Sequence, residues 1–226
     1  MMGSRLAGKR VIVTDCDEYN GADIVELFKE EGATVFADDR DLTVHTAADD
    51  LIREVGHVDI LIANLATKFE FAQARDQPDN EMERLMNSIF YPLHRLTRAV
   101  LPQMLERKRG KIVVVGSSAG VKGRKGGVAL YGAARAAQFG YMRNLALEVA
   151  PLIQVNGTAQ TYVDNQTYWP HAYRETEEFR QRLAEVPAGR LGTGRELAQS
   201  VLFLAGPESD FLYGHILPFA GGWIAS

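Results

Sequence analysis

Cysteine occurs once in the 226 residues, at Cys16, so no internal disulfide can form and no multi-cysteine metal site exists. Long apolar runs are missing too. No stretch approaches the roughly 20 residues that a membrane-spanning helix needs. A signal peptide is not legible, because the first ten residues lead straight into a short strand pattern. Nor is there an excess of one charge. Lys and Arg number 25 against 29 Asp and Glu, mixed along the chain, which argues against nucleic acid or an anionic membrane as the main partner. His45, His57, His94, His171 and His215 are scattered without ligand spacing, so no metal is expected. What is left is an ordinary globular composition, 46% hydrophobic and 24% charged, long enough for one complete core. The expected location is cytoplasmic.

What is present is alternation. Arg10–Thr14, Ala33–Ala37, Val58–Asn64, Ile112–Gly116, Ile153–Ala159 and His215–Ala220 read as strands. Between them, Ala22–Glu31, Glu81–Arg107, Tyr131–Ala150 and Arg195–Leu204 read as helices. Gly32 stands in a C-terminal cap position, and Pro92 predicts a bend or break in the second helix. Strands alternating with helices imply crossover units and a parallel sheet. The expected fold is α/β: a Rossmann-like, doubly wound parallel sheet of about seven strands with helices on both faces, one domain over residues 1–226. Tyr162–Phe179, rich in aromatic and polar residues, is expected to be an irregular excursion that carries function.

Glycine is scarce where such a fold needs it. The turn after the first strand runs from Thr14 to Gly21, and only Gly21 is left. Asp15, Asp17 and Glu18 would repel a pyrophosphate, and Tyr19 adds bulk where a phosphate backbone must come close. Asp38, after the second strand, reads as a solvated carboxylate. Against this damaged loop stands a trio: Tyr131 lies thirteen positions after Ser118, and Arg135 four after Tyr131. Helical residues four apart share a face, so phenol and guanidinium are neighbours. A phenol ordinarily titrates near ~10, and a fixed cation favours its anion, which would make Tyr131 a base. Ser118 ends an apolar strand, at the rim where open α/β sheets bind ligands. Ser117 is adjacent and competes with it, although the spacing to Tyr131 favours Ser118.

From Gly8 to Trp223 the chain resembles the short-chain dehydrogenase/reductase superfamily. The resemblance rests on the spacing of Ser118, Tyr131 and Arg135, the phrase Val58–Ala66, the run Thr97–Met104, Gly189–Gly192 and the pair Gly221-Gly222. Departures are equally visible. Arg135 stands for the catalytic Lys, Ile89 for a helix Asn, and Gln160-Thr161 for a Pro-Gly pair. Together with Tyr19 and the aromatic loop closing at Pro170, these look like the halohydrin dehalogenases. That resemblance implies a cofactor-free carbon–halide lyase that converts vicinal haloalcohols to epoxides and opens epoxides with azide, cyanide or nitrite. It also implies a homotetramer, Tyr131 as base, Ser118 holding the substrate oxygen and Arg135 tuning the phenol. A halide pocket would be lined by Tyr19, Gln160, Thr161, Tyr162, Val163 and Trp169, with the backbone N–H groups of Tyr162 and Val163 as donors. Two readings compete with it: an atypical NAD(P)-dependent short-chain reductase, and a catalytically silent binding protein on the same fold.

Overall fold

The computed structural model describes residues 4–225. In chain order the strands are β1 (Arg10–Thr14), β2 (Thr34–Asp38), β3 (Ile60–Asn64), β4 (Gly110–Ser117), β5 (Ile153–Gln160) and β6 (Ile216–Phe219). The main helices are α1 (Gly21–Glu30), α2 (Ala47–Val55), α3 (Asp79–Glu106) and α4 (Ala129–Val149). Two short ones, α5 (His171–Arg174) and α6 (Glu177–Ala184), precede α7 (Gly194–Ala205). The six strands form one sheet in the order β2-β1-β3-β4-β5-β6, and every neighbouring pair is parallel. The sheet is one strand short of the expected count. β2 is an edge strand, and the chain between it and β3 is taken up by a loop and α2.

Both faces of the sheet are covered because its strands are apolar at odd and even positions alike. Ile12, Leu61, Ile112, Val114 and Val155 point to one side and pack with buried residues of α2, α3 and α4. Val11, Val13, Ile60, Ile62, Val113 and Val115 point to the other, against α1 and α7. No helix among the described residues is long and apolar enough to cross a membrane.

Local signals set most boundaries. Gly32, at φ 86°, follows the C-cap of α1 in the left-handed region that a side chain resists. Thr193 and Glu196 form a reciprocal capping box that starts α7. Of the bend or break expected at Pro92, the break does not occur: α3 runs through it. Leu85, Ile89, Leu93 and Leu96 are buried on both sides of it, and this packing outweighs the lost hydrogen bond. The excursion after β5 is irregular only to Pro170. Beyond it Thr176 accepts a hydrogen bond from Phe179 N–H, and α6 begins.

One glycine fixes how the β4 turn meets α4. A Cβ at Gly120 would stand 2.7 Å from the Arg135 carbonyl carbon, which is backbone and cannot swing away. Gly120→Ala is expected to cost about 1–3 kcal/mol and to lower activity by moving the Ser118 turn. Urea unfolding of wild type and variant measures the first, steady-state rates the second.

Candidate active site

β4 and β5 run side by side, and their carboxyl ends open towards α4. Ser118 begins the 3₁₀ turn that leaves β4 and is 3% exposed. The neighbouring Ser117 hydroxyl accepts the Ala119 N–H at 3.3 Å, so it is occupied in capping that turn. Of the two serines, Ser118 is therefore better placed for a substrate. Tyr131 and Arg135 lie one helical turn apart on α4, as their spacing requires.

Arg135 is 0% exposed and its guanidinium is held at three points. Nε donates to Tyr131 Oη at 3.1 Å, one terminal nitrogen to Gln138 Oε1 at 3.1 Å, and the other to Leu65 O at 2.9 Å. Burial works against the cation. The acceptor oxygens around it, that of Tyr131 among them, favour the charged form, and the guanidinium stays charged. Phe69 stacks on the Tyr131 ring, with centroids 4.1 Å apart and planes at 15°. The Tyr131 ring is thus fixed by stacking and its hydroxyl by a charge-assisted bond.

Ser118 and Tyr131 share one small cavity of about 60 Å³. Tyr19, Gln160, Thr161, Tyr162, Val163 and Trp169 also line it, so the structure gathers residues 140 positions apart in the chain. Arg135 is not in the lining; it stands behind Tyr131. Phe69, Arg124, Asn165 and Tyr168 line the cavity as well and were not expected from the sequence. Asn165 and Tyr168 belong to the excursion Tyr162–Phe179 that the sequence marked as a whole, Arg124 sits in a basic turn, and nothing in its local pattern marks Phe69. Gln160 is 1% exposed, and its amide has no hydrogen-bond partner of normal geometry, although the Tyr19 hydroxyl is near enough to interact. Val163 pairs with Gly192 in a bridge that uses the N–H groups of Gly192 and Asp164, not those of Tyr162 and Val163.

The loop after β1 is rebuilt around its side chains. Asp15 and Tyr19 adopt φ of 43° and 64°, values that ordinarily favour glycine. The strain is offset by local bonds. Asp15 Oδ2 accepts the Ala66 N–H at 2.7 Å, and Asn64 Nδ2 donates to the carbonyls of Asp15 and Glu18. Asp15 therefore turns inward instead of facing a ligand, which corrects the picture of three outward carboxylates. Glu18 accepts from the Thr167 hydroxyl, tying this loop to the aromatic excursion. The Tyr19 ring meets Tyr168 edge to face at 4.9 Å, and Tyr168 Oη donates to Thr67 O at 2.6 Å. Burial pushes both hydroxyls up, so both stay protonated. Asp38 is no solvated carboxylate either: it is 9% exposed and paired with Arg40 at 2.7 Å.

Burial raises the Asp15 carboxyl from 3.8 to about 6; the Ala66 N–H opposes this, Glu18 adds to it and Arg135 counters it. Its folded value lies above its unfolded one, so the fold binds the extra proton. Stability is greatest below the ordinary value and falls as pH rises from about 4 to about 6. The loss at neutral pH is on the order of 2–3 kcal/mol. Asp15→Asn keeps an acceptor for Ala66 and removes the charge. Its thermal midpoint is expected to exceed wild type at pH 7 and to match it at pH 4; an equal gap at both would refute this account.

The chain matches the family model described as enoyl-(acyl carrier protein) reductase over residues 5–224. It is 32% identical to the 3-oxoacyl-[acyl-carrier-protein] reductase of Vibrio harveyi over 95% of this chain and 87% of that one. The corresponding reductase of Escherichia coli is 31% identical over the same shares. Among solved structures, one described as a dehalogenation enzyme superposes with a TM-score of 0.86 at 29% identity, over 99% of this chain and 100% of the other. A gluconate 5-dehydrogenase from Burkholderia cenocepacia, in complex with NADP and tartrate, superposes at 0.89 with 25% identity over 100% and 98%. The reductase relatives overturn the reading of the chain as a cofactor-free carbon–halide lyase acting on haloalcohols and epoxides. The Arg135 substitution and the filled loop, which suggested that activity, are compatible with a redox lineage and do not outweigh near full-length similarity to reductases.

Proposed function

The chain belongs to the short-chain dehydrogenase/reductase superfamily, and on that premise we propose that it is an atypical NAD(P)-dependent reductase of carbonyl compounds. The observation that carries the proposal is that Tyr131, bonded from behind by the buried Arg135, shares one cavity with Ser118. The Ser118 hydroxyl donates to a carbonyl oxygen and orients it. Tyr131 gives its proton to that oxygen as negative charge develops there. Arg135, always charged, then stabilises the oxygen that Tyr131 is left with. In the oxidation direction Tyr131 takes the proton from the alcohol. Phe69 stacks on Tyr131 and meets Tyr168 at 6.0 Å, so aromatic rings flank the reacting phenol.

NAD(P)H is the hydride source that this chemistry takes. The residues in place do not fit it as they stand. The loop after β1 carries Tyr19 where backbone must approach a phosphate, and its ring stands with Tyr168 inside a cavity of about 60 Å³. Asp38, the acid positioned for a ribose, is already bound to Arg40. The atypical element of the proposal is therefore that the Tyr19–Tyr168 contact must open before a nucleotide enters.

The test is NADH and NADPH titration by fluorescence, followed by nucleotide oxidation with a panel of small ketones and oxo acids. Saturable binding and ketone-dependent oxidation are expected, with tighter binding in Tyr19→Gly. No binding in either protein, together with bromide release from a vicinal bromoalcohol without nucleotide, would overturn the proposal.

A further inference from the structure

The turn Val121–Val128 follows Ser118 closely and places Lys122, Arg124 and Lys125 at the mouth of the site. There they line an open groove of about 400 Å³ with Arg182 from α6, Tyr162 and Trp223. Arg124 and Tyr162 also line the inner cavity that holds Ser118 and Tyr131, so groove and cavity adjoin. Arg124, Lys125 and Arg182 thus line the groove with a single carboxylate, Glu185, and of the three only Arg182 has an ion-pair partner, Glu178. Such a surplus in a concave site draws anions in.

The cations are held in different ways. Lys122 Nζ donates to Trp223 O at 2.8 Å and lies 4.8 Å from the centre of its ring. Arg124 stands 6.0 Å from the same ring. Arg182 lies over Phe71 at 5.2 Å and pairs with Glu178 at 2.7 Å. Arg124 and Lys125 make no ion pair with the described residues. Burial pushes the Tyr162 hydroxyl up, and Arg124 and Arg182 pull against it, with Glu185 on the other side, so both cations are close enough to act on the boundary between groove and cavity. Cations can hold an anionic group by charge, and the Trp223 ring offers an apolar surface for a carbon frame beside them.

We propose that the substrate carries an anionic group, a carboxylate or a phosphate, which binds among Arg124, Lys125 and Arg182 while its reacting oxygen reaches Ser118 and Tyr131. This rests on the carbonyl-reductase reading and narrows it to oxo acids and oxo phosphates. The inner cavity takes the oxygen end; the groove selects the charged tail.

Two measurements keep the two ideas apart. The first needs no turnover: tryptophan fluorescence, from Trp223 in the groove and Trp169 in the cavity, is titrated with a short oxo acid, an oxo phosphate and the methyl ester of the oxo acid. The anions are expected to bind roughly tenfold or more tightly than the ester. The gap should shrink with salt and in an Arg124→Gln, Lys125→Gln double variant. Which anion wins separates carboxylate from phosphate. Equal binding of acid and ester overturns the proposal whatever the activity shows. The second is kcat/KM for acid and ester with NADPH. Their ratio is expected to fall in the double variant; binding selectivity without any turnover would leave the anion site standing and overturn the reductase reading. Turnover only of a substrate attached to an acidic carrier protein, with free acid no better than ester, would overturn the small-anion assignment.

Discussion

Tyr131→Phe is expected to lower turnover by about 10²–10⁴-fold, the span that a positioned acid or base contributes. The ring is retained, and with it the stack on Phe69 at 4.1 Å. The fold should therefore survive, at a cost of about 1–2 kcal/mol for leaving Arg135 Nε without its acceptor. Steady-state rates give the first effect and urea midpoints the second. A variant that unfolds at wild-type urea concentrations and also turns over at the wild-type rate would remove Tyr131 from the chemistry. Loss of activity with loss of fold would point instead to a packing role.

Arg135→Leu is expected to have the larger structural effect. The substitution leaves Tyr131 Oη, Gln138 Oε1 and Leu65 O without their donor in a buried place. Gln138 Nε2 already lacks a partner, so that amide cannot easily turn to compensate. The cost is on the order of 2–5 kcal/mol, because unpaired buried polar groups keep their full desolvation penalty. Arg135→Lys separates charge from geometry. One ammonium cannot repeat the three-point fork. Unlike the guanidinium, it can also lose its proton when buried, so the pH profile of kcat should move as well as its height. A lower rate on an unchanged pH profile would assign Arg135 to scaffolding alone.

Much of this was legible along the chain. The alternating apolar segments required a two-faced parallel sheet, because residues such as Ile12 and Val13 need burial on opposite sides. The offset of four between Tyr131 and Arg135 required a shared helix face. Tyr19 in place of glycine signalled an altered phosphate loop. Other features were beyond reach. Asp15 reads as an outward acid until its carboxylate is seen on Ala66, 51 positions away. Asp38 reads as solvated until Arg40 folds back onto it. Phe69 lies in a segment without periodicity, yet its ring fixes the angle of Tyr131. The chemical reading suffered from the same limit: the Ser-Tyr-Arg trio and the lost glycines pointed to dehalogenation, and similarity across the whole chain corrects that to a reductase lineage.

The sequence by itself determined the fold class, the chain order of its elements, the helix face that carries Tyr131 and Arg135, and the loss of a glycine loop. These follow from periodicity and from backbone rules that act over a few residues. Only the tertiary structure decided that the Ser117 hydroxyl caps the turn while Ser118 lines the same cavity, that Tyr19 and Tyr168 meet in it, and that the basic turn after Ser118 meets α6 at a groove. The contacts between distant parts, such as Tyr19 with Tyr168, and the desolvation each side chain undergoes there leave no trace in local pattern.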